Sequence, residues 1–509
     1  MDISVKVWSA LVGLLLLLRY HHRRRAERTS NPRGLPYPPG PQPELIIGNA
    51  RHIPSRSSWL QYTEWKKSYG DIVHLEAMGD HIIILNSYRT AHDLVGLRAA
   101  YADRPVSQMI SILMGWDRVV SSAPHGEKWK RYRKILHPYL HRETISRNTE
   151  NMMKDTHRLL SSLMDSPDQW DRLLRLHTGR LIIMYTYGHK VESAQDEYIT
   201  VAEEAINSTS TLVFPGAVLV DIFPMMRFIP SWFPGATWKR NVKKWRKMVD
   251  GMVERPFQRV KAELAAGTAL PSVTSAMIQD DGYDPEDITW CAGSLFAAGA
   301  DTTYGSFITF ILVMAKNLDV QKKAQAELDR MIKPGTLPTW EDRDRLPYVE
   351  CLMKELLRWC PVAPLALPHA LSGKGDFYDG YYIPRDSVIL ANVWAISQDR
   401  ANYEDPARFY PERFENPETA ELDPRSYVFG FGRRTCAGQN FADASLFLLI
   451  TYILSTFDIG PPRDEDGREL ALDPPFTSGV LCHPEPFKCT IRPRSEAAVS
   501  LIKAGVDAH

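Results

Sequence analysis

The sequence predicts a mainly α-helical protein with small β-sheets. Two long apolar runs, each opened by a proline at its first helical position, read as helices over roughly 285–317 and 347–359. Short β-branched runs from Glu44 to about Asp93 read as strands of a small sheet, helices dominate beyond them, and no second linker or internal repeat divides the rest of the chain. At 509 residues the chain is long enough for about three domains of ~150 residues, yet nothing after the N-terminal region breaks it into parts.

The first element is an N-terminal membrane anchor with its basic flank, residues 1–28. Ile3 to Leu18 is a sixteen-residue stretch in which Lys6 is the only charge. That is short of the ~20 residues usually needed to span a bilayer. Lys6 can snorkel and Tyr20 suits the interface, so a thin or compressed bilayer can be crossed. Arg19, Arg23, Arg24, Arg25 and Arg28 follow at once. A cleaved leader carries its charge before the apolar run, whereas here most of it comes after, so the segment reads as an uncleaved anchor. The positive-inside rule then leaves everything from Arg19 onward on the cytoplasmic side, a single-pass topology.

Residues 29–43 form a proline-rich hinge: six prolines lie between Pro32 and Pro43, in a composition that favours extended geometry and cannot continue a helix. Residues 44–509 form the remaining domain. Its first strands are read at Asp71–Leu75 and His81–Leu85. The helix over 285–317 opens on Asp284-Pro285-Glu286-Asp287, an N-cap, a proline and an acidic first turn. The helix over 347–359 must stop before Pro361, which disfavours helical geometry at Cys360.

Bulk composition excludes several functions. Lys plus Arg equals Asp plus Glu at 61 each, which gives no reason to expect a nucleic-acid partner. Six cysteines with no CxxC pair argue against a disulfide framework or a structural zinc site and suit a reducing compartment.

The sharpest chemical signal is Phe429-Gly430-Phe431-Gly432-Arg433-Arg434-Thr435-Cys436-Ala437-Gly438, followed by an apolar helix to about Phe457. A lone cysteine is usually an ordinary buried thiol. Here Gly430 and Gly432 permit a tight bulge beneath a flat ligand, and a helix starting after Gly438 would aim free N–H groups at the sulfur, favouring a thiolate.

This segment resembles the haem-binding loop of the cytochromes P450, FxxGxRxCxG, at every fixed position. The resemblance implies a P450 fold and haem b, with Cys436 as axial iron ligand and Arg434 pairing a propionate. Three further motifs stand in the family's order. Ala298-Gly299-Ala300-Asp301-Thr302-Thr303 is similar to the oxygen-activating segment and makes Asp301 and Thr302 the catalytic residues. A mid-helix Gly299 costs roughly 1 kcal/mol relative to Ala, and close passage over a porphyrin is the expected compensation. Thr302 can bond a carbonyl one turn back. Glu355-Leu356-Leu357-Arg358 with Pro411-Glu412-Arg413-Phe414 resembles the family's buried structural triad. Trp129-Lys130-Arg131-Tyr132-Arg133 resembles WxxxR and makes Trp129 and Arg133 propionate donors, joined by His369.

The resemblance covers nearly the whole chain and is strongest to fungal, basidiomycete-type microsomal monooxygenases of specialised metabolism, in phrases such as Leu113-Met114-Gly115-Trp116 and Ile229-Pro230-Ser231-Trp232-Phe233-Pro234-Gly235. It implies insertion of one oxygen atom of O2 into a lipophilic small molecule, a terpenoid, polyketide or indole precursor. Electrons would come from NADPH through a reductase docked on part of the basic run Lys128–Lys134, at the endoplasmic reticulum membrane. Pocket walls are expected from 106–114, 210–220, 296–302, 362–367 and 477–480, nearly all apolar. Phe214 to Trp238, dense in Phe, Trp, Met and Pro, is read as a membrane-dipping loop in contact with lipid. Two alternatives keep the fold: a reductase-independent peroxygenase or isomerase, and a non-enzymatic lipid-binding protein. The intact Asp301-Thr302 pair opposes the first, and the complete motif set opposes the second.

Overall fold

The structure, a computed structural model, describes residues 29–45, 47–209, 218–233, 235–280, 282–416, 418–419 and 421–507. The expected anchor at 1–28 and residues 210–217 of the expected pocket wall lie outside them. The principal helices are α1 (Ser58–Tyr69), α2 (Glu127–Leu140), α3 (Thr149–Asp165), α4 (Trp170–Tyr187), α5 (Trp238–Ala266), α6 (Pro285–Lys316), α7 (Leu318–Met331), α8 (Pro347–Trp359) and α9 (Gln439–Thr456). Among the described residues three small sheets lie around them, in keeping with the mainly helical fold with small sheets that the sequence predicts.

The largest sheet joins β1 (Ile72–Ala77), β2 (Asp80–Leu85), β6 (Val388–Ala391) and β3 (His369–Ala370) in the order β1-β2-β6-β3. β1 and β2 form a hairpin with Ile72 opposite Leu85, while β2 runs parallel to β6 with Ile82 opposite Val388. β4 (Asp376–Tyr378) pairs β5 (Tyr381–Ile383), and β7 (Phe457–Gly460) pairs β8 (Thr490–Pro493). The proline segment is laid on this framework rather than standing off it. The amides of His74 and Tyr382 donate to the carbonyls of Pro39 (3.0 Å) and Pro36 (2.8 Å), and a Cβ on Gly40 would lie 2.0 Å from the His74 carbonyl oxygen.

α6 is the axis of the molecule. Asp284 caps it by accepting the Glu286 amide at 2.7 Å, and Pro285 occupies the first position. It packs along α4 and against α5, α8 and α9. Among the described residues it is the one helix long and apolar enough to cross a membrane, but most of that window is buried inside the protein, as a core helix requires. Phe307, Ile308, Phe310 and Met314 are wholly buried. Asp287 to Phe296 is a buried run, and burial resumes at Thr303. Between them Ala297–Thr302 regains solvent access. This window of accessibility in the middle of a core helix coincides with the Gly299–Thr302 motif.

Candidate active site

The cysteine loop folds as its glycines dictate. Gly430 and Gly432 take φ of 83° and 55°, the left-handed region that side chains rarely adopt. A Cβ at Gly432 would stand 2.4 Å from the Gly96 carbonyl oxygen, so backbone passes too close for any other residue. The Cys436 amide closes the loop on the Phe429 carbonyl at 2.8 Å. Cys436 is accessible, although protein atoms crowd it on most sides. Burial pushes its thiol pKa up, opposed by the Gly438 N–H bonded to the sulfur and by the Arg133 charge. Since α9 starts at Gln439, that N–H stands at the head of the helix, as expected from the sequence.

Cationic side chains converge beside the loop. Arg434 donates from Nε to the Ala102 carbonyl (2.6 Å) and from Nη2 to Ala123 (2.8 Å), with only a long bond from Nη1 to Val120 at 3.5 Å. Its guanidinium lies 4.4 Å from the ring centroid of Trp129, itself buried on α2. One turn on, Arg133 donates to the Thr435 carbonyl at 3.1 Å, so the WxxxR motif grips the cysteine loop from one face of α2. Arg104, which no motif singles out, is buried and reaches the carbonyls of Ser121 (2.8 Å), Leu367 (2.8 Å) and Pro368 (2.7 Å). The lone arginine has no local signature. The bridge of Asp103 to Ala370 brings it here.

Burial lowers Arg104 to about 9 and Arg434 to about 10. Arg104 is lowered further by Arg434, and the nearby Asp103 carboxylate opposes the shift in both. Among the described residues none of Arg104, Arg133 and Arg434 forms an ion pair, and buried cations held only by carbonyls are costly. A dianionic group would relieve them. A sulfur aimed from a tight loop, with such a donor set at its side, fits a haem carrying two propionates.

His369 lies in the same region, buried on β3, with Nδ1 2.8 Å from the Tyr101 carbonyl. That carbonyl requires a proton on Nδ1, which leaves Nε2 of the neutral ring as an acceptor. Burial and then the Arg104 charge depress its pKa to about 3. His369 therefore donates to a propionate only as the imidazolium, which an adjacent carboxylate would restore.

On α6 the Thr302 hydroxyl donates to the Ala298 carbonyl at 2.8 Å, the bond one turn back that the sequence suggests. Asp301 turns toward α4, where Arg175 stands 3.8 Å from it, 3.7 Å from Glu203 and over the Tyr304 ring at 4.2 Å. Gly299 meets a packing constraint that the sequence does not reveal: a Cβ there would lie 2.6 Å and 2.7 Å from Cδ1 and Cγ1 of Ile182. Its compensation in this structure is close packing of α6 on α4.

Several of the expected wall segments meet one another or this helix. Gly305, just beyond Thr302, packs on Val362. The Cys482 amide donates to the Val362 carbonyl at 2.8 Å, which joins the 362–367 and 477–480 segments. Asp221 accepts from Ser107 Oγ (3.1 Å) and the Met109 amide (3.0 Å), clamping 107–113 to the helical turn Leu219–Ile222. On the basic run of α2, Lys130 pairs with Glu127 (2.7 Å) and Arg131 with Asp287 (2.9 Å). Exposed Lys134 has no such partner among the described residues.

Below the loop, Glu355 and Arg358 on α8 are fully buried, bonded at 2.7 Å and 2.8 Å, and Arg413 stands 3.2 Å from the same carboxylate. This is the triad read from the sequence. It binds α8 to the chain between Ser397 and Arg413.

Comparisons with known proteins show the family. The family model for cytochrome P450 matches residues 38–491. Cytochrome P450 monooxygenase 208 of Postia placenta is 39% identical over 507 residues, covering 97% of this chain and 96% of that protein. Cytochrome P450 monooxygenase ARMGADRAFT_974139 of Armillaria gallica is 39% identical over 513 residues, 98% of each chain. Cytochrome P450 monooxygenase COX2 of Coprinopsis cinerea is 37% identical over 484 residues, covering 92% of this chain and 91% of that one.

Proposed function

The chain belongs to the cytochrome P450 family, and on that premise we propose that it is a membrane-bound haem-thiolate monooxygenase acting on a lipophilic small molecule of fungal secondary metabolism. The observation that carries the reading is the accessible Cys436 at the head of α9, flanked by Arg104, Arg133 and Arg434 with no carboxylate paired to any of them among the described residues. When bound, the haem supplies reductive activation of dioxygen through its thiolate-ligated iron. Cys436 would hold the iron. Arg434, Arg133, Trp129 and protonated His369 would hold the propionates.

Thr302 and Asp301 manage protons. The Thr302 hydroxyl, with its own hydrogen committed to Ala298, offers a lone pair that orders a proton-carrying water. Asp301 can feed that water, because its ion pair with Arg175 is long and the guanidinium is shared with Glu203 and Tyr304. The intact pair supports a reductase-dependent cycle fed by NADPH, with exposed Lys134 and its neighbours on α2 as the docking face. Apolar walls favour a terpenoid, polyketide or indole precursor held mainly by shape. The first 28 residues would anchor the chain in the endoplasmic reticulum membrane with residues 44–509 in the cytoplasm.

Cys436→Ser tests the core of this. An alkoxide is a far weaker donor at neutral pH, so the reduced carbon monoxide complex should lose its red-shifted Soret band. A retained band would overturn the assignment. Product analysis after co-expression with a reductase, across terpenoid, polyketide and indole precursors, tests the substrate class.

A further inference from the structure

Arg343, Glu350, Arg425 and Asp443 come from four separate elements and close a ring of charge. Arg343 lies in the turn Trp340–Arg345, Glu350 on α8, Arg425 in the turn Pro424–Ser426 and Asp443 on α9. Each carboxylate takes one guanidinium on each of its oxygens. Glu350 accepts Arg343 on Oε2 at 2.9 Å and Arg425 on Oε1 at 2.5 Å. Asp443 accepts Arg425 Nε on Oδ1 at 3.0 Å and Arg343 Nη1 on Oδ2. All four side chains are largely withdrawn from solvent. Burial opposes the charge on Asp443, yet the Arg425 and Arg343 charges outweigh it and hold the carboxyl below its ordinary value. The ring is therefore ionised and, at two positive against two negative, neutral as a whole.

Its place in the chain separates it from a surface network, which would be worth little. Arg425 stands four residues before Phe429, whose carbonyl accepts the Cys436 amide. Asp443 stands five residues after Gly438, whose N–H is bonded to the Cys436 sulfur. The Arg425–Asp443 pair thus ties the entry of the cysteine loop to its exit. Arg343 adds a second hold on α9, because its guanidinium lies 5.4 Å from the ring centroid of Phe447, one turn beyond Asp443 and on the same face. Rotating or sliding α9 would break both contacts and redirect the Gly438 N–H.

We infer that Asp443, clasped by Arg425 and Arg343, is a positioning residue for the axial sulfur. It fixes the N–H bond that draws charge from the thiolate, and so sets how strongly the sulfur donates to iron. The ring shares no member with the Glu355 triad. The inference rests on the haem-thiolate reading above and adds to it the residues that tune the ligand.

The test is the ferric-to-ferrous midpoint potential of the full-length, haem-loaded protein, measured together with its carbon monoxide spectrum and its denaturant stability, in the parent, Asp443→Asn and Glu350→Gln. Both substitutions open the ring and should lower stability. Only Asp443→Asn releases the exit of the loop, since Glu350→Gln leaves Asp443 between both arginines. A looser N–H bond leaves more charge on the sulfur and favours the ferric state. Loosening one charge-assisted hydrogen bond changes the ferric-to-ferrous ratio by about tenfold at most, which is about 59 mV for one electron. Asp443→Asn should therefore lower the potential by up to that amount and move part of the Soret absorption of the carbon monoxide complex to shorter wavelength. Asp443→Glu should restore most of both, and Glu350→Gln should keep the parent's potential. Should Asp443→Asn fail to retain haem, Arg425→Lys keeps the charge but gives up the fork that reaches both carboxylates, and it must show the lowered potential or the inference falls. An unchanged potential in Asp443→Asn, or equal shifts in Asp443→Asn and Glu350→Gln, makes the ring a stability device alone and overturns the inference. A parent without the red-shifted Soret band overturns the haem-thiolate reading beneath it.

Discussion

Glu355→Gln removes one charge and changes almost no volume, and the structure dictates that it is severe. One carboxylate oxygen accepts from Arg358 Nη2 at 2.8 Å and from the Tyr410 amide at 2.7 Å. The other accepts from Arg358 Nε at 2.7 Å and faces Arg413 Nε at 3.2 Å. All of these partners are donors. Whichever oxygen becomes an amide NH2 then confronts two donors, and no flip of the glutamine escapes this. The two guanidiniums suffer unequally. Arg413 keeps Glu421 at 2.6 Å, whereas Arg358 is left with the carbonyls of Ser397, Pro406 and Arg408 alone.

Unpairing one buried ion of this kind costs about 3–5 kcal/mol, a large part of a total stability of about 5–15 kcal/mol. The assay is denaturant unfolding of the holoprotein in detergent, followed in parallel by haem absorbance and far-ultraviolet circular dichroism. Glu355→Gln should lose a few kcal/mol and release haem early, because the triad fixes α8 to the segment that leads to the cysteine loop. Arg358→Lys separates charge from geometry: the cation stays, but three donors replace a five-donor fork that reaches four groups. It should lose comparable stability. If Glu355→Gln unfolded within about 1 kcal/mol of the parent with full haem content, the reasoning from uncompensated burial would fail.

Thr302→Ala should leave haem content and substrate affinity nearly intact while product per NADPH falls and hydrogen peroxide rises, since it releases the proton-carrying water that Thr302 would order, and a positioned proton donor is typically worth ~10²–10⁴-fold; an unchanged ratio would mean protons arrive by another route. Gly299→Ala gains roughly 1 kcal/mol of helix propensity but drives a Cβ into Ile182, so the melting temperature should fall in the parent and rise when the same change is made on an Ile182→Ala background. His369, depressed to about 3 by burial and Arg104, should be raised by a neighbouring propionate. Haem loading should then take up close to one proton between that pKa and the raised one, and affinity should tighten as pH falls through the raised pKa, measured by calorimetry in buffers of different ionisation enthalpy and lost in His369→Gln.

Local chemistry was legible in the sequence, and long-range pairing was not. α6 runs from Pro285 to Lys316 and α8 from Pro347 to Trp359, almost where Asp284-Pro285 and Pro361 place their ends, because caps and prolines act within a turn. Strands before residue 86 were visible by composition. Their partner β6 is four residues long and lies some three hundred positions away, where no periodicity can build up. Gly299 shows the same limit within one residue. Its cost in a helix is local and was foreseen, but what offsets it is Ile182 on another helix. Asp301 and Thr302 are adjacent in sequence, yet one turns to Arg175 on α4 and the other back into its own helix.

Charge counting separates the two buried arginine clusters by role. In the triad, Arg358 and Arg413 face Glu355 and Glu421, two positive against two negative, so the cluster is neutral by itself and needs no further partner. Beside the cysteine loop, Arg104 and Arg434 face Asp103 and Arg133 faces Cys436, so with the sulfur's charge committed to iron two positive charges are left over in a place where burial lowers the pKa of each arginine. A fold tolerates such an excess when something bound there completes it, and a haem brings two propionates. Binding that favours the folded state over the unfolded one stabilises it by mass action. Haem should therefore stabilise this chain through the arginines as well as through Cys436, and replacing one propionate partner should do less harm than replacing Cys436 or Glu355.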